Sequence, residues 1–232
     1  MHRSHTYSER RWPDTPEFNS VLRRLRAGSS VVLLQFVWRG YDAFRAGVLA
    51  QVDCSQDDED LERNITQLLE PKIREQMSGY EPFYVQHGPC EHETRAAAPA
   101  QPPEYDIAFV LRDNPRVMWP LEAKVLKTDG TLWKYLTAIR SNFLTCRYSP
   151  FSSEAAMIGY LLRSSSEVVF VNIARKSGWE LTPDRHFRGR DHRTSDHRRK
   201  VPEGKPYPAD FRCHHLVLKI QRDDGAVDSQ QG

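Results

Sequence analysis

Cysteine is scarce and unpaired in this chain: four in 232 residues (Cys54, Cys90, Cys146 and Cys213), far apart and with no Cys-x-x-Cys spacing. That argues against a disulfide-stapled secreted scaffold and makes a reducing, cytoplasmic setting the expectation. His87, Cys90 and His92, with Cys213, His214 and His215, are zinc-ligand types, but no paired ligand spacing supports a zinc site. Long apolar runs are missing too. No stretch approaches the ~18 residues that span a bilayer, and the opening MHRSHTYSERRW lacks the apolar core of a signal peptide. Net charge is nearly absent. Thirty-three Lys and Arg against 31 Asp and Glu give +2, too little to imply a nucleic-acid partner from the total alone.

What is present is polarised. Residues 53–62 hold six carboxylates, whereas residues 185–200 hold seven Arg or Lys, three His and only two Asp. At 39% hydrophobic and 28% charged residues, the chain has the composition of one sizeable soluble domain, with more charge than average.

The most informative stretch is Glu104 to Lys127, EYDIAFVLRDNPRVMWPLEAKVLK. Alternation places Asp106, Ala108 and Val110 on one face of a first strand. It places Met118, Pro120, Glu122 and Lys124 on one face of a second. Arg112 to Arg116 carries turn residues and reads as a five-residue hairpin loop. If Leu111 pairs with Val117, Asp106 falls opposite Glu122, with Cβ atoms about 4.5–5.5 Å apart. Two carboxylates that close repel unless a cation lies between them, and Lys124 projects from the same face. A slip of one residue would turn one carboxylate away.

Asp106, fifteen residues, then Glu122-Ala123-Lys124 resembles the PD-(D/E)XK superfamily of restriction-endonuclease-like nucleases. Glu70-Pro71-Lys72 and Glu203-Gly204-Lys205 repeat the tripeptide without that strand context. The run from Tyr135 through Arg147-Tyr148 to Met157-Ile158-Gly159-Tyr160 is similar to sequences of prokaryotic restriction-like nucleases of defence loci. The resemblance covers about residues 57 to 220. It implies an α/β fold with an α-β-β-β-α-β core, a mixed central sheet and flanking helices. It also implies a DNA endonuclease of restriction or anti-phage defence, working alone, as a homo-oligomer or with subunits that supply specificity. Mg²⁺, replaceable by Mn²⁺, would be held by Asp106, Glu122 and the Ala123 carbonyl. Lys124 would orient or help deprotonate a water, and a helix carboxylate, Glu62 first and Glu70 second, would complete the site.

Around that core, residues 1–52 are expected to form an N-terminal extension, residues 53–220 the nuclease-like core and residues 221–232 a polar tail. The extension holds a helix over Pro16 to Arg26, capped by Thr15, and a buried strand over Val31 to Trp38. A helix over Asp57 to Met77 should kink or split at Pro71, near Glu70. Tyr80 to Gln86 reads as a strand and Thr131 to Leu144 as a helix. A second helix ends near Leu162, Glu167 to Ile173 reads as a buried strand, and Phe211 to Ile220 as the last strand. Residues 182–205 read as a basic, histidine-rich surface loop. Arg193, Arg198 and Arg199 from it, with Lys134 and Arg140, are the residues expected to grip a phosphate backbone. The alternative function is a non-catalytic nucleic-acid-binding or assembly subunit with the same fold.

Overall fold

The computed structural model describes residues 29–95, 100–127 and 129–220; the helix expected over Pro16 to Arg26 and the tail after residue 220 lie outside them. The hairpin has the expected register. Strand β2 (Ile107–Leu111) pairs antiparallel with β3 (Met118–Leu126), Ile107 opposite Leu121 and Val110 opposite Met118. The turn closes with Leu111 N donating to the Val117 carbonyl (3.0 Å) and Val117 N to that of Asn114 (2.9 Å).

Strand β1 (Phe83–His87) flanks β2 on the outside, antiparallel. On the inner side, β4 (Glu154–Leu161) runs parallel to β3, and β7 (Asp210–Lys219) parallel to β4. Antiparallel β6 (His192–Arg198) and the two-residue β5 (Thr182–Pro183) finish the far edge. The result is a seven-stranded mixed sheet in the order β1-β2-β3-β4-β7-β6-β5. β4 is buried along nearly its whole length, as a parallel strand covered on both faces must be.

Helices cover both faces. α1 (Ser29–Gly47) and α2 (Asp58–Arg74) bury Leu34, Val37, Phe44, Leu61, Ile65 and Leu69 against one face, with Phe109, Leu121 and Leu216. α3 (Asp129–Ala138), its continuation as a π-turn over Ile139–Phe143, and α4 (Ser166–Ser177) cover the other. Among the described residues, no helix is long and apolar enough to cross a membrane.

Four expectations about local structure are overturned. Residues 31–38 are helical where a strand was expected and belong to α1, whose buried residues join the main core. Residues 154–161 are strand β4 where a helix was expected, and Glu167 to Ile173 lie in α4 where a strand was expected. The basic segment 182–205 carries β5 and β6 and is part of the sheet. Pro71 lies inside α2, which is not split there and runs on to Arg74.

Candidate active site

α2 is held in place by ordinary helix chemistry, and that decides which carboxylate reaches the sheet. The Asp57 side chain caps its N-terminus, accepting from the backbone N–H groups of Glu59 and Asp60, and three acidic residues follow in the first turn. Leu61, Ile65 and Leu69 are buried, and Glu62, beside that stripe, overhangs β3. Its carboxylate accepts from Lys124 Nζ at 2.8 Å and from the Val125 N–H at 3.1 Å. Glu70 is buried one face away, paired with Arg74 at 2.6 Å.

Asp106 immediately precedes β2, one step beyond the Ile107–Leu121 pair and therefore across from Glu122. Its Oδ2 accepts from the Ala123 N–H at 2.6 Å. Lys124 Nζ lies 2.8 Å from Glu62, 3.1 Å from Glu122 Oε1 and 3.8 Å from Asp106, and it also donates to the Ala123 carbonyl. Three carboxylates, from α2, from β3 and from the residue just before β2, thus surround one ammonium. Glu122 Oε2 is buried and has no hydrogen-bond partner.

The electrostatics follow from this crowding. Burial, reinforced by the Asp106 charge, pushes the Glu122 carboxyl up to about 8. Burial also raises Glu62, against the pull of Lys124. For Lys124, burial disfavours the ammonium, but Glu122, Asp106 and Glu62 outweigh it and hold the pKa above its ordinary value. A cation that relieved the surplus negative charge would find hard oxygen donors here.

The group opens into a cavity of about 330 Å³ whose wall includes Glu62, Asp106, Lys124, His87, Glu104 and Lys134. His87 was considered only as a zinc ligand, and Glu104 was not given a role in the sequence. Glu104 lies just outside β2, where a lone bridge to Cys90 holds it, and no periodicity marks such a position. Of the five basic residues expected to grip a phosphate backbone, only Lys134 lines the cavity. Arg140 lies over the Trp179 ring, Arg193 pairs with Glu167 at 2.8 Å, and Arg198 pairs with Asp210 at 2.6 Å. Arg199 is buried, donating to the Ser149 and Ser152 carbonyls at 2.9 Å each.

The Cys and His residues considered for zinc do not come together as a set. Among the described residues, the His, Cys, Asp and Glu side chains spaced to hold one ion are Asp184, His192 and His214. No protein-family model, curated protein or solved structure matches this chain.

Proposed function

We propose that the chain is a metal-dependent endonuclease of the PD-(D/E)XK kind, hydrolysing phosphodiester bonds in DNA in a restriction or defence setting. The observation that carries the proposal is the convergence of Asp106, Glu122 and Glu62 on Lys124, with Asp106, Glu62 and Lys124 at the wall of an open cavity and one Glu122 oxygen buried behind it and unpartnered. The order α2-β1-β2-β3-α3-β4 supports it, since it repeats the α-β-β-β-α-β succession of that fold.

The donor set suits Mg²⁺ or Mn²⁺, with Asp106, Glu122 and the Ala123 carbonyl as the residues that would hold it. When bound, the ion supplies charge neutralisation at the scissile phosphate and a lowered pKa for a water. The chain's own groups do the rest. Glu62 steers the Lys124 ammonium, whose flexible stem lets it leave Glu122 and donate to the oxygen on which charge develops. Asp106 fixes the β3 backbone through the Ala123 N–H, which keeps both carboxylates converging. Lys134 offers a phosphate contact at the rim.

The test is cleavage of duplex DNA, single-stranded DNA and RNA with Mg²⁺, Mn²⁺ or EDTA, using wild type, Lys124→Ala and Glu122→Gln. Cleavage of DNA that is lost in EDTA and in both variants is the expected result. Cleavage that persists in both variants would sink the proposal. No cleavage of any substrate would leave the binding-or-assembly reading, in which Lys124 is simply the permanent counter-ion of its three carboxylates.

A further inference from the structure

A second polar cluster lies on the α1 side of the sheet, away from the acidic cavity. His192 on β6 and His214 on β7 are almost wholly buried, 3% and 2% exposed, and Asp184 just after β5 joins them. His192 Nε2 is 3.1 Å from His214 Nδ1, and His214 Nδ1 is 3.8 Å from Asp184 Oδ2; one ligand atom from each residue lies within 4.8 Å of the others. Tetrahedral zinc, with Zn–N bonds of about 2.0–2.1 Å, sets its ligand atoms about 3.3–3.4 Å apart. The measured separations bracket that value. Outside the trio, His214 Nε2 is buried without a hydrogen bond, its nearest carboxylate being Glu154 Oε2 at 3.5 Å. A carboxylate behind a ligating imidazole is the usual outer support of a zinc-bound histidine. Phe187 stacks on His192 with ring centroids 4.8 Å apart, and Trp119 flanks His214 at 6.1 Å, so both rings are held before any ion arrives.

We propose that Asp184, His192 and His214 form a binding site for Zn²⁺, or a divalent transition metal of similar softness, with Glu154 orienting His214 from behind. The nitrogen donors separate this site from the all-oxygen set of the cavity, and it stands whether or not the chain cleaves DNA.

One contact gives the proposal a distinctive signature. Trp38 Nε1, which can only donate, faces His192 Nδ1 at 3.4 Å. In the metal-free protein this holds the His192 proton on Nε2, where it is donated to His214 Nδ1. Binding the ion moves that proton to His192 Nδ1 and costs the indole its acceptor. His214 already has the required tautomer, with Nε2–H towards Glu154. The Trp38 contact is therefore an obstacle to zinc and not a support for it.

Zinc titrated into the full chain against a chromophoric chelator, with the visible absorption of Co²⁺ as a second reporter, tests the site. One equivalent should bind to wild type and to Glu122→Gln with equal affinity. Asp184→Asn preserves the side chain's shape outside the main strands and should weaken binding by at least about tenfold. Trp38→Phe should bind several-fold more tightly. Failure of wild type to bind an equivalent, or unchanged affinity in a folded Asp184→Asn, would overturn the proposal. So would loss of binding in Glu122→Gln, which would assign the zinc to the acidic cavity. Unchanged or weaker binding in Trp38→Phe would remove His192 Nε2 from the ligand set.

Discussion

Glu122 is buried, has one carboxyl oxygen without a hydrogen-bond partner, and has a carboxyl pushed up to about 8 by burial and Asp106. Below the ordinary carboxylate pKa the group is protonated in the folded and unfolded chains alike. Between there and about 8 the unfolded chain has released the proton and the folded chain keeps it. Metal-free stability should therefore fall as pH rises through that window, by at most about 1.4 kcal/mol per pH unit for this group, with Glu62 acting in the same direction. Thermal melts in EDTA should show Glu122→Gln losing most of the slope and melting at or above wild type at pH 8. Adding Mg²⁺ at that pH should raise the wild-type Tm and leave the variant unmoved. A variant that melts well below wild type in EDTA would make Glu122 a structural ion-pair partner. Two neighbouring arginines make a parallel contrast. Arg199→Ala strands the Ser149 and Ser152 carbonyls and removes a guanidinium lying 3.9 Å over Phe211, so it should cost about 2–4 kcal/mol in chemical denaturation. Arg198→Ala, which breaks an exposed pair, should cost under about 1 kcal/mol.

Among the elements, the hairpin was the most legible, because strict alternation and a short turn leave one register open to it. That register, Ile107 opposite Leu121, is why Asp106 and Glu122 could be placed together from residues alone. The failures have physical causes. VVLLQFVW looks like a strand when cut at Trp38, but the exposed positions Gln35, Arg39 and Asp42 recur at helical spacing once the window is extended. EAAMIGYL shows no alternation because parallel neighbours and helices bury both faces of β4. In α4 the β-branched run concealed two helix signals: Ser165, whose side chain accepts from the Val168 N–H, and Gly178, left-handed at φ 77°. α1 and α2 approach closely at Gly40, where an added Cβ would stand 2.7 Å from the Ile73 Cα. Backbone cannot give way as a side-chain tip can. Gly40→Ala should push the two helices apart and cost about 1–3 kcal/mol, read from the shift of the urea midpoint at constant m-value.

For the molecule as a whole, the charge polarity seen in the sequence does not become a basic groove among the described residues. The arginines of β6 are spent on Glu167 and Asp210, and Arg199 just after it on buried carbonyls, whereas Lys134, in an exposed pair with Glu59 at 3.7 Å, lies at the cavity. The cluster at Asp184 escaped sequence reading for the same reason: with 182–205 taken as a loop, nothing paired Thr194 with His214 or brought His192 beside it. If DNA binds at the cavity, Lys134→Ala should reduce the slope of log affinity against log salt by about 0.9, the share of one duplex phosphate contact. Arg193→Ala and Arg198→Ala should leave that slope where it was. The reverse pattern, measured by fluorescence anisotropy across a salt series, would move the binding surface to β6.

The parallel centre of the sheet has a consequence in time. β4 pairs Ala156 with Leu121 on one side and Glu154 with Arg212 on the other, so neither neighbour is local in the chain. Loop-closure entropy must be met at both seams before their contacts can return it. The β2–β3 hairpin needs no such closure and can form early, bringing Asp106 and Glu122 together while β7 is still unattached. The carboxylates would then meet before the far side of the sheet is built, and the His192–His214 pair only when the last strand docks.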